Sequence, residues 1–164
     1  MKSRPATADD YDAMLSLLVA DEEHFHGRPS QLTVGDLRVW LSRTDLASDS
    51  WLYEENGRLA ALGWCDSVPG NALSIGIGVV HPSWKGKGLG MQLVDRSEWR
   101  ARERGAQRMH QVAFGPDEGA HRLLAGHGYR EVRRFYEMAV QLESRPEVPD
   151  MGIERLDPKD VREF

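Results

Sequence analysis

Residues Ser74–Asp95 read SIGIGVVHPSWKGKGLGMQLVD, and the fold turns on this stretch. An apolar, β-branched run, Ser74–Val80, stops at His81-Pro82. A basic, glycine-dense turn follows, Lys85-Gly86-Lys87-Gly88-Leu89-Gly90, and a helical pattern begins at once. A buried strand that passes through a glycine turn into a helix gathers several backbone N–H groups at the positive end of the helix dipole, an arrangement that can hold a pyrophosphate. Glycine matters there because a Cβ would keep the phosphate from the backbone. Lys85 and Lys87 add charge at the mouth of the turn. An ordinary αβ connection has the same local pattern, so the turn alone does not separate the two readings.

The spacing excludes two other phosphate loops: there is no G-x-x-x-x-G-K-[ST], and Gly86, Gly88 and Gly90 do not make G-x-G-x-x-G. Composition narrows the classes further. With 164 residues the chain holds one domain with a sizeable core, and 40% hydrophobic with 29% charged residues describes a globular protein. A net charge of −5, from 26 acids against 21 lysines and arginines, argues against a nucleic-acid binder and mildly favours a cationic over an anionic acceptor. Lys85, Lys87, Arg96 and Arg100 are the residues that could form a local basic patch. Cys65 is the only cysteine, which leaves no intrachain disulfide and no cysteine metal cluster. No signal-peptide pattern and no apolar run near 18 residues is seen, so no membrane partner is expected and a cytosolic location is the default.

Strands and helices alternate along the chain. A short strand is expected at Lys2–Ala6, a helix capped by Thr7 and carrying Met14, Leu15, Leu18 and Val19 to about Asp21, a loop at His24–Ser30, and a helix at Thr33–Arg43. Strands follow at Trp51–Glu54 and Arg58–Ser67 around Glu55-Asn56-Gly57, a strong hairpin signal. The pattern then gives a strand at Ala72–Val80, a helix at Gly88–Arg104, a strand at Arg108–Phe114, a helix from about Asp117 to Ala125, and a last strand near Arg134–Leu142.

Val80-His81-Pro82 followed by Lys85–Gly90 resembles the acetyl-CoA motif of the GNAT N-acetyltransferase superfamily, V-x-P and then [RQ]-x-x-G-x-[GA], with Lys85 where Arg or Gln is usual. Three further stretches are similar to that family: Arg4-Pro5-Ala6-Thr7 with Asp10, Ala101-Arg102-Glu103-Arg104-Gly105, and Asp117–Tyr129 with Ala120, Gly128 and Tyr129 matching. The resemblance covers roughly residues 2–142. It implies an α/β (α+β) fold, a mixed, mostly antiparallel central sheet flanked by helices. It also implies acetyl-CoA as co-substrate, no metal, and a small-molecule or peptide amine as acceptor. A homodimer is left open. The cofactor-binding residues it implies are Val79, Val80, Lys85, Gly86, Lys87, Gly88, Leu89, Gly90 and Asp117.

Two departures bear on the chemistry. Leu124 stands where many members carry a tyrosine that protonates the departing thiolate, and Asp117 replaces an asparagine. The strand Ala72–Val80 lacks the glutamate many members use as base; its polar side chain is Ser74, with His81 just beyond. His81 could act as a base through water, its pKa lying near neutrality, or be a plain loop histidine. Tyr136, in the expected last strand, is the candidate acid in place of Leu124, or else a strand aromatic. His24 and His26 flank Phe25 where the family lines its acceptor site; with no third ligand at suitable spacing they do not make a metal pair. Two functional classes follow: an N-acetyltransferase acting by direct attack of an amine on the thioester, and a non-catalytic acyl-CoA-binding or regulatory domain.

The resemblance divides the chain into a domain at 1–142 and a tail at 143–164. Glu143–Met151 is rich in proline and acid, as a linker would be, and Gly152–Val161 is similar to the opening strand and N-cap of a second such domain. If that segment packs as an arm, Ile153 and Leu156 are buried, worth about 3–5 kcal/mol before ordering costs. Deleting residues from Glu147 onward should then lower stability by about 1–2 kcal/mol in a thermal melt. An unchanged melting temperature and oligomeric state would make the tail a disordered remnant.

Overall fold

The computed structural model describes residues 1–68, 72–136, 138 and 140. It divides into two units, Met1–Arg130 and Glu131–Phe164. In the first unit the elements run β1 (Lys2–Arg4), α1 (Tyr11–His26), α2 (Val34–Trp40), α3 (Leu46–Asp49), β2 (Ser50–Glu55), β3 (Arg58–Ser67), β4 (Leu73–Val80), α4 (Leu89–Glu103), β5 (Arg108–Gln111) and α5 (Glu118–Gly126). Among the described residues, five strands make one sheet in chain order; β1 to β4 are antiparallel, and β5 lies parallel to β4 after the α4 crossover. This is the mixed, mostly antiparallel sheet with flanking helices that the sequence leads one to expect. Among the described residues, no helix is long and apolar enough to cross a membrane.

Local chemistry explains most boundaries. Asn56 (φ 52°) and Gly57 (φ 74°) both take the left-handed region, as a two-residue hairpin turn between β2 and β3 demands. Thr33 and Asp36 cap α2 reciprocally, Asp36 accepting from the Thr33 N–H at 2.9 Å. The Arg4 to Asp10 motif has a direct reading: the Arg4 guanidinium forks onto Asp10 at 2.6 and 2.8 Å and reaches Glu54 on β2 at 2.6 Å. Asp10 also accepts from the Thr7 N–H, so the Arg4 guanidinium, through Asp10 and Glu54, ties β1, the start of α1 and β2 together.

β3 is buried on both faces. Leu62 and Trp64 join a core with Leu52, Val79 and the α1 and α2 residues Met14, Leu17 and Leu37. Ala61 and Cys65 face the other way, with Trp51, Tyr53 and the α4 residues Leu89 and Leu93. Gly63 on β3 and Gly78 on β4 are cross-strand partners, and the Leu93 side chain sits over both. A Cβ at Gly63 would lie 2.8 Å from Leu93 Cδ2, and one at Gly78 3.3 Å from the same side chain. The pair of glycines thus lets α4 lie close on the sheet.

Several elements differ from expectation. α1 continues through residues expected as loop to His26, stopped by Gly27 at φ 62°, whose N–H donates to the Glu23 carbonyl at 2.9 Å. Its polar residues Glu22, Glu23 and His24 are an outer helix face, not a loop. A short helix, α3, was not anticipated; it presents the buried Asp49 to Arg100 and Arg104 of α4. β5 ends at Gln111 and not at Phe114, because its pairing with β4 runs only from Leu73–Arg108 to Gly76–Gln111. Of the strand expected at Arg134–Leu142, the described residues 134–136, 138 and 140 have no strand, and the rest lies outside the described residues, as does the tail 143–164.

Gly63→Ala should destabilise the fold by about 1–3 kcal/mol, because Leu93 must leave its seat. Combining it with Leu93→Ala should cost less than the sum of the two single changes, as read from denaturant midpoints in a double-mutant cycle.

Candidate active site

A cleft of about 330 Å³ lies where β4 and β5 part. Among the described residues, the ladder between them stops at Gly76 and Gln111, while β4 continues to Val80 paired with β3 alone. Strand-edge N–H and C=O groups of residues 77–80 therefore face a gap in place of a neighbouring strand. Gly78, Val79 and Val80 line it on one side, the Lys85–Gly90 turn and α4 close one end, and Ala120, Leu123 and Leu124 of α5 form the opposite wall.

The turn is built as the sequence implies. Gly86 (φ 77°) and Gly88 (φ 80°) both need the left-handed region, and a Cβ at either would project into open space within the cleft wall. Gly88 is the N-cap of α4, and the first helical backbone bond runs from Gln92 N to Gly88 O at 3.2 Å. The N–H groups of Leu89, Gly90 and Met91 are therefore free of helical partners and sit at the positive end of a 15-residue helix. Gly90 serves a different end: a Cβ there would lie 3.0 Å from Leu123 Cδ2, so its absence lets α4 and α5 approach.

The basic side chains are arranged otherwise than expected. Lys85 does not stand at the mouth of the turn. Its Nζ donates to Asp117 Oδ2 at 2.7 Å, pairs with Asp21 Oδ1 at 3.0 Å, and lies 4.3 Å from the centre of the Phe25 ring. Arg100 is held by Asp49 at 2.8 Å and Glu103 at 2.5 Å. Lys87 and Arg96 lie over the rings of Trp84 and Tyr53, each at 5.7 Å. An anion at this turn therefore meets backbone N–H groups first, with Lys87 nearby.

Asp117 caps α5, its Oδ1 accepting from the Ala120 N–H at 2.9 Å. Burial works to raise its pKa, but the Lys85 bond and the N–H groups of Ala120 and Gly119 outweigh it and hold the carboxyl below its usual range. Asp21 goes the other way. It is 4% exposed, burial pushes its pKa up, and the Lys85 ammonium only partly offsets this. Sequence reading passed over Asp21, although a signal was there. The buried stripe of α1 is Met14, Leu17, Leu18 and Asp21, and a carboxylate on the apolar face of a helix calls for a partner or a task.

The other candidates are distributed as follows. Leu124 lines the cleft, at the place where the resemblance puts a tyrosine. His81 lies apart, on a second cavity of about 220 Å³ with Leu17, Arg58 and Leu59. Its Nδ1 accepts from the Ser83 N–H at 3.2 Å, its ring stands edge-on to Trp84, and burial followed by the Arg58 charge lowers its pKa. Phe25, His26 and Phe114 form an aromatic cluster that joins the end of α1 to the loop before α5. Tyr136 belongs to the second unit. Among the described residues, no set of three or more His, Cys, Asp or Glu side chains is placed to hold a metal.

Comparison with known proteins agrees with this geometry. Residues 11–129 match the Acetyltransferase (GNAT) family. A GCN5-related N-acetyltransferase from Sphaerobacter thermophilus superposes with a TM-score of 0.73 at 24% identity over 80% of this chain, which spans only 44% of that one. YncA from Salmonella typhimurium, solved with its cofactor acetyl-CoA, gives 0.64 at 21% identity over 85% of each chain. A ribosomal-protein-alanine N-acetyltransferase from Brucella melitensis gives 0.65 at 17% identity, over 81% of this chain and 86% of that one. No curated protein matches the sequence. With a family match across most of its length and the sheet, cleft and glycine turn in place, the chain belongs to the GNAT acetyltransferase family.

Proposed function

We propose that this protein is an acetyl-CoA-dependent N-acetyltransferase that passes an acetyl group to a small-molecule or peptide amine. The observation that carries the reading is the meeting, in one cleft, of an unpaired strand edge with a cluster of free helix N-terminal N–H groups. An elongated acyl carrier with an amide-bearing arm and a pyrophosphate has a partner for each part. The backbone N–H groups of Gly86–Met91 hold the pyrophosphate, Lys87 supplies charge beside it, and Asp117 with Lys85 fixes the α5 wall. The open edge of β4 aligns the arm, and the backbone at Val79–Val80 polarises the thioester carbonyl. When bound, acetyl-CoA supplies an already activated acyl group, so positioning of the amine against it removes much of the barrier.

Protons are the remaining requirement. Leu124 cannot donate one to the leaving sulfur. Tyr136 is our candidate for that role. As a base acting through water, His81 has a weaker claim, since its Nδ1 is committed to the Ser83 N–H. The second reading, a domain that binds acyl-CoA without turnover, draws its support from Leu124 in the cleft wall. A screen of amines with detection of free thiol separates the two: acetyl-CoA consumption that depends on an amine supports transfer, and tight acetyl-CoA binding without consumption supports the second reading. We also propose that residues 143–164 are a linker and the opening of a second domain of this kind, which the greater length of the Sphaerobacter chain supports.

Gly88→Asp should weaken CoA affinity by at least tenfold, about 1.4 kcal/mol, since it sets a carboxylate where the phosphates belong. Calorimetry that finds unchanged affinity in a folded variant would defeat the assignment of the turn. Tyr136→Phe should lower turnover by about 10- to 100-fold while leaving CoA affinity similar. Equal rates in the two proteins would remove Tyr136 from the site and leave water as the acid.

A further inference from the structure

Among the described residues that line the cleft, the ionisable ones are Asp21, Lys85 and Asp117. Two carboxylates share one ammonium, so this part of the cleft carries an excess of one negative charge when all three are ionised. The excess does not belong equally to the two acids. Asp117 is committed twice, to Lys85 at 2.7 Å and to the Ala120 N–H at the start of α5. Asp21 sits well inside α1 and caps no helix among the described residues. Its buried Oδ1 meets Lys85 at 3.0 Å as an ion pair but makes no aligned hydrogen bond. A buried carboxylate with one poorly aligned partner retains capacity for a second cation.

We propose that Asp21 binds the ammonium group of the acceptor and receives the proton that this nitrogen sheds before attack. The proposal rests on the reading of the cleft as an acetyl-transfer site, and it names the acceptor class: a primary alkylamine, cationic at neutral pH. A hydroxyl or an aromatic amine brings no charge to complement Asp21. The step balances. The ammonium gives one proton to Asp21, and the freed lone pair forms the C–N bond at the thioester carbonyl. The C–S bond breaks with its electron pair on sulfur, and the second nitrogen-bound proton ends on that sulfur. Asp21 then returns its proton to solvent.

Charges around Asp21 fix the pH response. Burial raises its pKa; Lys85 lowers it, Asp117 raises it, and His24 on the same helix lowers it when protonated. The reactive form is the carboxylate. Hence kcat/KM for the amine falls as pH drops through a pKa above the usual carboxylate range.

The test compares wild type with Asp21→Asn and Lys85→Met, each first shown to be folded by thermal melting. Thiol release is measured with butylamine and 1,4-diaminobutane, with 1-butanol as the uncharged control. Asp21→Asn should lower amine kcat/KM at least tenfold, change acetyl-CoA affinity less than threefold, and abolish the acid limb of the pH profile. Lys85→Met should keep that limb and move it to higher pH, since the carboxylate has lost its cation. A limb that persists in Asp21→Asn, or a loss confined to acetyl-CoA affinity, would overturn the proposal and leave Asp21 a structural partner of Lys85. Calorimetry of 1,4-diaminobutane with CoA-loaded protein gives a reading independent of turnover. Binding that Asp21→Asn weakens tenfold supports the cation site even if no amine releases thiol, in which case only the transferase reading fails. Equal binding in both proteins, or none in wild type, sinks the role of Asp21.

Discussion

Leu93 rests on the backbone of two paired glycines, Gly63 and Gly78, and the geometry of the cleft follows from that contact. A side chain at either position would push α4 away from the sheet. With α4 seated, its N-terminus comes to the end of β4, where the parallel ladder with β5 has stopped. The same strand thus supplies a platform for the helix on one face and an unpaired edge beside it. A helix dipole and a strand edge are common features singly. Here the fold brings them to one cavity.

The electrostatics of that cavity are divided by position. At the turn, the groups open to an anion are backbone N–H groups, which need no side-chain charge and cannot be neutralised by a neighbouring acid. Lys85, which the motif places first in the turn, is turned inward to Asp21 and Asp117. Arginine at this position would present a planar fork of donors; lysine presents a compact charge that two carboxylates can share. The departure from the family's usual residue is therefore accompanied by an ion cluster that joins α1, the turn and α5.

That cluster also gives the cleft groups of two different characters. Near Gly86–Met91 it offers donors. At Asp21 it offers a buried carboxylate, whose partner Lys85 lies against the Phe25 ring. Leu124 and Leu123 make the α5 wall of the cleft apolar. The charge on Asp21 is costly in such surroundings, and the same cost makes it responsive to a cation.

By itself the sequence determined what short windows decide. Asn56-Gly57 signalled a tight hairpin, and the apolar run Ser74–Val80, the glycine-dense turn and the helical pattern after it signalled a strand, turn and helix in that order. Leu124 was set at the place of the family's tyrosine by resemblance, and the structure puts it on the cleft wall. Tertiary structure alone decided which charges meet. Lys85 and Asp117 are 32 residues apart, and Asp21 is farther still. No local rule distinguishes a lysine facing phosphate from one facing two acids; packing of α1 against the turn does. It also decided that β5 parts from β4 at Gln111, that His24 lies on a helix, and that His81 faces another cavity. The physical reason is range: dihedral preference and hydrophobic period act over a few residues, whereas ion pairs and the end of a ladder depend on where distant elements are brought to rest.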